Sequence, residues 1–249
     1  MRRVWVVVLK EWREALKGGK LLWVGTVALP VILLGISVYM MLSVGDLSAL
    51  EDEDLKMVLH TLFSVFLLYF MLFPMIIPNA ISVYAIMSEK EQKSLEPLLA
   101  TPLQTWELFL AKVLSAVIPA VVITWATFGV FVLIVGQMLP AGLWGIVWRD
   151  FGIATLVTLV LFAPLASVFV TMTSMAIATR TSDARSAQLL SSFVVLPIAL
   201  WALVSIYQNA LLQPANLVGV SLLLLGLNIV LLKIAVRLFR REEILTRWR

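Results

Sequence analysis

The chain has 249 residues, of which 61% are hydrophobic and only 14% are charged, and its mean hydropathy is +1.01. A soluble domain is about 45–50% apolar and about 25% charged, so this composition predicts a polytopic membrane protein. The lack of cysteine excludes disulfides and cysteine metal sites, and a single histidine, His60, excludes a histidine-rich metal site. Nucleic acid is not an expected partner, because the basic residues fall in separate clusters that a membrane topology explains.

Residues 1–20 predict an amphipathic helix that lies in the membrane interface. One side of this helix is basic, as in helices that bind lipid headgroups. The other side carries an apolar stripe at helical spacing, which consists of Trp5, Val8, Trp12 and Leu16. A Gly-Gly pair at 18–19 is expected to end the helix and to allow a turn into the bilayer.

Six apolar stretches are long enough to cross about 30 Å of hydrocarbon. We therefore predict an all-α membrane protein with six spans, at 21–42, 57–87, 109–138, 150–178, 189–207 and 217–236. Pro74 and Pro78 are expected to interrupt the backbone hydrogen bonds of the second span. Lys112, near the start of the third span, is expected to extend to the interface. The connections are predicted as an acidic loop at 43–56, loops at 139–149 and 179–188, and a re-entrant or lip segment at 208–216; a basic tail follows at 237–249.

The distribution of cations predicts which side of the membrane each connection faces. With six spans, 17 of the 19 Lys and Arg residues fall on one side: six before the first span, three around 88–112, two in the turn at 179–188 and six at the C-terminal end. Lys56 and Arg149 lie on the other side. Cytoplasmic loops are enriched in Lys and Arg, so we expect both termini and residues 88–107 in the cytoplasm.

Residues 88–107 form a long polar interruption with charges of both signs, and we call them the 88–107 segment. Ser88 with Glu91 fits the S-x-x-E capping box that starts helices, and Thr101 with Gln104 repeats the pattern. Between them, one helical face carries Leu95, Leu98 and Leu99. We therefore expect a short helix with an apolar edge, a corner at Pro97 and a second helix start.

The spans offer little chemistry of their own. A charge buried in a membrane costs at least about 2.5–3.5 kcal/mol and usually marks an ion or proton path, and no Asp or Glu lies deep in a predicted span. Asn79 and Asn228 are the polar residues of interest inside the spans. Each of them faces either a pathway or a dimer partner, or else joins helices within the subunit by a hydrogen bond worth about 1 kcal/mol or less, and the second interpretation is favoured.

The 88–107 segment resembles the cytoplasmic loop of type-2 ATP-binding-cassette (ABC) permeases, the membrane subunits of exporters. In that family an E-K-E-x-x-(S/T)-L-E-x-L-L run is followed by T-P and, about ten residues later, by a lysine. The positions that match are Glu89, Lys90, Glu91, Ser94, Leu95, Glu96, Leu98, Leu99, Thr101, Pro102 and Lys112. The interfacial helix, the six spans and the cytoplasmic ends agree with the family, whereas the acidic loop at 43–56 is much shorter than the extracellular domain of many relatives.

The resemblance implies that two copies of a separate cytoplasmic ATPase dock on a coupling helix in the 88–107 segment. It also implies a second permease chain, identical or different, with the translocation path between the two chains in a prokaryotic cell membrane. ATP and Mg would bind the partner, so this chain is expected to bind no cofactor and to have no enzymatic activity by itself. The expected ATPase contacts are Glu89, Lys90, Glu91, Lys93, Ser94, Leu95, Glu96, Leu98 and Leu99. A second, smaller contact is expected at Arg180, Asp183 and Arg185.

Two other functions remain open at this point. One is a transporter or channel that needs no ATPase, although the lack of carboxylates within the spans disfavours proton coupling. The other is a membrane scaffold that recruits a cytoplasmic protein without transporting anything. An ATPase encoded beside this chain would distinguish the ATPase-driven permease from both alternatives. The sequence does not identify the cargo.

Overall fold

In the computed structural model, the described residues are 2–18, 52–91, 105–139, 141–208 and 210–238, with isolated helical positions between 28 and 43. Within these ranges every regular element is a helix. The helices are α1 (Arg2–Gly18), α2 (Asp52–Glu91), α3 (Thr105–Met138), α4 (Ala141–Val157), a π-helical turn (Thr158–Phe162), α5 (Ala163–Arg180), α6 (Ala184–Ser192), α7 (Leu196–Tyr207) and α8 (Pro214–Leu238).

Five stretches of this part of the chain are long and apolar enough to cross a membrane. They are Glu53–Glu91, Phe109–Gln137, Gly145–Arg180, Ala184–Tyr207 and Pro214–Ile234. The predicted first span, 21–42, lies mostly outside the described residues, as do residues 92–104 of the 88–107 segment and the tail from 239 onwards. The helical class is confirmed, while the total of six spans stays a prediction.

Several helices extend further than hydropathy suggests. The second spanning helix already begins at Asp52, inside the predicted acidic loop, and residues 141–149 are the start of α4 instead of a loop. The polar turn predicted at 179–188 shrinks to 181–183, because α5 runs to Arg180 and α6 begins at Ala184. Around 208–216 the backbone makes a tight turn, in which the N–H groups of Ala210 and Leu211 both donate to the Ser205 carbonyl, before α8 begins.

The predicted helix start at Ser88 is wrong. Ser88 lies inside the last turns of α2, and its hydroxyl donates to the Ala85 carbonyl at 3.2 Å. A serine hydroxyl can satisfy itself in this way on the preceding turn of a helix, so the S-x-x-E pattern here does not mark a cap.

Helix α5 lies at the centre of the bundle and packs against α2, α3, α6 and α8. Small side chains let its neighbours approach closely, since Ala163, Ala166 and Ala178 are fully buried. The Phe and Met cluster at 70–75 of α2 is also buried, so these side chains pack in the core and do not face lipid.

Two backbone carbonyls that prolines leave without a helical partner are bound by side chains from other helices. A proline has no N–H, so the carbonyl four residues before it loses its helical partner. Pro78 releases the Pro74 carbonyl in this way, and the Ser167 hydroxyl of α5 lies 2.7 Å from that oxygen. Pro119 of α3 releases the Ser115 carbonyl, to which the Trp12 indole Nε1 of α1 donates at 2.9 Å. These bonds fix α5 to α2 and α1 to α3.

Candidate functional site

A buried ion cluster joins three helices at the end of the bundle where α2 stops. Lys112 Nζ of α3 lies 2.6 Å from Glu89 Oε1 of α2 and 3.2 Å from Glu11 Oε1 of α1. The side chains of Lys112, Glu89 and Glu11 are 2%, 7% and 9% exposed. Ammonium–carboxylate hydrogen bonds at such distances are strong when water is excluded, so the cluster connects α1 rigidly to the point where the 88–107 segment leaves α2.

The sequence of α1 explains how Glu11 reaches the cluster. Val8, Glu11 and Trp12 lie about one turn apart and therefore share a face. Val8 is fully buried against Ala111 of α3, which sits beside Lys112. Trp5, Val6 and Leu9 of α1 are exposed, as expected of the surface that meets lipid in an interfacial helix.

Lys90 ties the end of α2 to the end of α5. Its ammonium group donates to the carbonyls of Ala178, Thr179 and Thr181 at 2.8, 2.9 and 2.8 Å. The last carbonyls of a helix have no helical partners and carry partial negative charge, and a lysine offers three N–H donors. Glu89 and Lys90 thus hold the final turn of α2 from two directions, immediately before residues 92–104 of the 88–107 segment.

The structure describes three of the nine residues expected to contact an ATPase. Glu89 is buried in the ion cluster, Lys90 caps α5, and Glu91 is exposed. An open cleft of about 770 Å³ lies beside the last two of these and is also lined by residues 179–182. The other six expected contacts, Lys93, Ser94, Leu95, Glu96, Leu98 and Leu99, lie outside the described residues.

The second expected contact surface lies next to the Lys90 cap. Arg180, Asp183 and Arg185 are all exposed. Asp183 is the N-cap of α6, and its Oδ2 accepts a hydrogen bond from the Ser186 backbone N–H at 2.9 Å. This hydrogen bond holds the pKa of the Asp183 carboxyl below its ordinary value. Asp183 therefore shapes the turn between α5 and α6 and presents a negative charge between two arginines.

Asn79 and Asn228 both make hydrogen bonds between helices of this chain. Asn79 Oδ1 accepts from the Ser174 hydroxyl at 2.8 Å, and its Nδ2 donates to Ser192 Oγ at 3.4 Å, which joins α2 to α5 and α6. Asn228 Nδ2 donates to the Leu165 carbonyl at 2.9 Å, which joins α8 to α5. This geometry agrees with the helix-joining interpretation, and a pathway-facing or dimer-facing role stays a prediction.

Sequence reasoning misplaced one member of the cluster and missed another. Lys112 does not extend to the interface as expected, because Glu89 and Glu11 hold it inside the protein. Glu11 was not identified at all, since it lies 101 residues away from Lys112 in the chain. The one feature of the sequence that could have identified Glu11 is its position in the helix. Glu11 follows Val8 by three residues and therefore lies on the face of α1 that packs against α3.

A family model described as ABC-2 family transporter protein matches residues 5–243. The chain belongs to the ABC-2 family of transporter proteins. The match spans α1, the ion cluster and all the spanning helices, so this ABC-2 protein is a permease subunit of an ABC transporter, embedded in a membrane and associated with an ABC ATPase. A comparison with curated proteins and a comparison with solved structures found no match.

Permeases of the ABC-2 family are membrane subunits and are not themselves ATPases. Among the residues that the structure describes, no group of three or more Asp, Glu or His side chains is arranged to hold a metal ion.

Proposed function

We propose that this chain is the membrane subunit of an ATP-driven exporter, in which a separate ATPase docks on the 88–107 segment. Family membership and the Glu11–Lys112–Glu89 cluster together support this proposal. A force applied to the 88–107 segment would act first on the last turn of α2, because that turn directly precedes it. The cluster would carry the displacement to α1 and α3, and Lys90 would carry it to α5.

Each charged residue near the segment then has a separate role in the proposal. Glu89 and Lys90 transmit force inside the permease, whereas Glu91 and Lys93 set the register at the rim of the ATPase contact, where charges add specificity more than affinity. The apolar edge Leu95, Leu98 and Leu99 packs in a groove of the ATPase. The exposed set Arg180, Asp183 and Arg185 makes the second contact.

The working unit in this proposal has two permease chains and two ATPases, which bind ATP and Mg. The translocation path lies between the permease chains, and both termini face the cytoplasm of a prokaryotic cell. The cation distribution supports this orientation, because 17 of the 19 Lys and Arg residues would then face the cytoplasm.

The substitution Leu98→Asp tests the docking role. A carboxylate at the apolar edge would lose its hydration in the contact, which is costly without a paired cation. We expect Leu98→Asp to abolish ATPase stimulation in the reconstituted complex, while the chain still inserts into membranes.

Leu98→Met is the matched control, because it keeps an apolar side chain of similar volume and should retain stimulation. Normal transport by the Leu98→Asp variant would refute the docking assignment. Transport by the purified chain without any ATPase would favour an ATPase-independent transporter or channel, and ATPase binding without transport of any cargo would favour a scaffold.

A further inference from the structure

The span Gly145–Arg180 contains a π-helical turn in its middle, at Thr158–Phe162. In a π turn each carbonyl pairs with the N–H group five residues later, as the Ala163 N–H does here with the Thr158 carbonyl. The next carbonyl, that of Leu159, would need the N–H of residue 164, but residue 164 is a proline. The helix therefore cannot satisfy Leu159 by its own backbone pattern.

A side chain from the neighbouring helix takes that position. Trp125 of α3 donates its indole Nε1 hydrogen to the Leu159 carbonyl at 3.1 Å. Half of the Trp125 surface is exposed on the side of the bundle that would face lipid, where no water is available to replace the bond. The arrangement repeats that of Trp12 at the carbonyl released by Pro119, but here it lies at a turn that interrupts a spanning helix.

The two halves of the span are held very differently on either side of the turn. The α5 half lies at the centre of the bundle, between α2, α3 and α8. The α4 half packs against α8 and has fewer contacts with α2. It buries Val147, Phe151 and Ala154 in the core and exposes Ile153 and Leu156. The span therefore consists of a half surrounded by other helices, an irregular turn, and a half with fewer neighbours.

Between α4 and the helices α2 and α3 there is an apolar cleft lined mainly by aromatic rings. Phe151 of α4 stacks on Phe63 of α2 with ring centroids 4.9 Å apart and planes 4° from parallel. Trp148 lies flat along α4, because Gly152 has no side chain; a Cβ there would come within 2.8 Å of the indole. The contact between α4 and α2 across this cleft is therefore made mainly between apolar rings.

We propose that the 145–180 span is hinged at its π turn, and that the Trp125–Leu159 bond holds the α4 arm closed over the aromatic cleft. When the bond opens, α4 swings away from α3 while α5 stays in place. The cleft widens at the end of the bundle remote from the ion cluster. This inference concerns the span itself and does not depend on an ATPase.

The substitution Trp125→Phe tests the hinge, because it keeps a ring and removes the donor. The full chain, which has no native cysteine, would be spin-labelled in lipid bilayers at Gly129→Cys of α3 and Gly145→Cys of α4. A Cβ at either glycine meets nothing within 4 Å, so both labels fit. A carbonyl that loses its donor away from water shifts an equilibrium by about 5- to 150-fold, and we expect the ratio of long to short interlabel distances to rise by that factor.

Two further variants separate the hinge from general loosening. Trp12→Phe removes an equivalent indole donor, but one that binds the Ser115 carbonyl of α3 and not the 145–180 span. It should therefore leave the distances between the labels at 129 and 145 unchanged. Pro164→Ala restores an N–H at residue 164, and in the Trp125→Phe background it should return the short distance. A label pair at Gly129 and Ser182, just beyond α5, should not respond to any of these changes. Unchanged distances in Trp125→Phe, equal broadening in Trp12→Phe, or failure of Pro164→Ala to restore the short distance would each overturn the proposal.

Discussion

Replacing Lys112 with methionine gives the strongest test of the buried ion cluster. The substitution keeps an unbranched side chain of similar length but removes the ammonium group that both Glu11 and Glu89 bind. Both carboxylates, at 9% and 7% exposure, would then lose this shared ion pair while they stay buried.

The expected magnitude follows from the burial of all three side chains. Removing one partner of a buried ion pair costs about 3–5 kcal/mol, since the remaining charge is left uncompensated. A chain of this size loses about 2–4 °C of melting temperature for each kcal/mol, so we expect a loss of about 6–20 °C in Lys112→Met. Thermal unfolding of the purified protein in lipid nanodiscs would measure it, followed by the tryptophan fluorescence.

Two controls make the result interpretable. Lys56→Met removes an exposed cation at the opposite end of α2, where surface charges contribute about 1 kcal/mol or less, and should change the melting temperature little. The triple variant Lys112→Met, Glu89→Gln, Glu11→Gln removes the charges together and should recover much of the loss, because a buried ion cluster can often be replaced by uncharged groups at little cost. A melting temperature of Lys112→Met equal to that of Lys56→Met would refute the view that the cluster holds α1, α2 and α3 together.

Two smaller predictions concern single hydrogen bonds at the same end of the bundle. Trp12→Phe leaves the Ser115 carbonyl without its indole donor and should cost about 1–3 kcal/mol of unfolding free energy; Pro119→Ala in the same background returns a backbone N–H and should recover it, and a stability equal to that of the wild type in Trp12→Phe alone would contradict the bridge. The Asp183 cap should depend on pH: because its folded pKa lies below the ordinary value, the stabilisation is complete above the unfolded pKa and is lost as the pH falls through the folded pKa. Hydrogen exchange of the Ser186 amide should therefore show less protection at acidic pH than its intrinsic rate predicts, whereas Asp183→Asn, which caps without titrating, should remove this pH dependence.

The sequence predicted the helical class and the presence of several helices long and apolar enough to cross a membrane, because long apolar runs leave few alternatives in a bilayer. The sequence located the ends of the helices less well, since polarity marks where a helix leaves the membrane and not the residue at which its helical backbone ends. Asp52 and Trp148 are polar or interfacial in character and yet belong to helices that continue past the apolar run. Ser88 misled for a related reason, because its side chain could either cap a new helix or bond back to Ala85, and the pattern alone does not decide between them.

The candidate site was less predictable, because its contacts join residues far apart in the chain. Lys112 was noticed as a match to the ABC-2 loop pattern, but its partners on α1 and α2 follow only from how three helices pack. The same applies to Trp12 and Trp125: each proline shows that a carbonyl is released, but not which side chain reaches it. Hydrogen bonds and ion pairs between helices can be identified only when the three-dimensional arrangement is known, whereas apolar periodicity can be read from the sequence alone.

The central claim is that an ABC ATPase drives this permease through the 88–107 segment, and site-specific crosslinking tests it most directly. A photo-reactive amino acid would be placed at Leu95, on the expected apolar edge, and in a matched chain at Lys56, at the opposite end of α2. In membranes that contain the chain together with its ABC ATPase partner, we predict crosslinks to the ATPase from residue 95 and none from residue 56. Crosslinks from residue 56, or none from residue 95 in an active complex, would contradict the account.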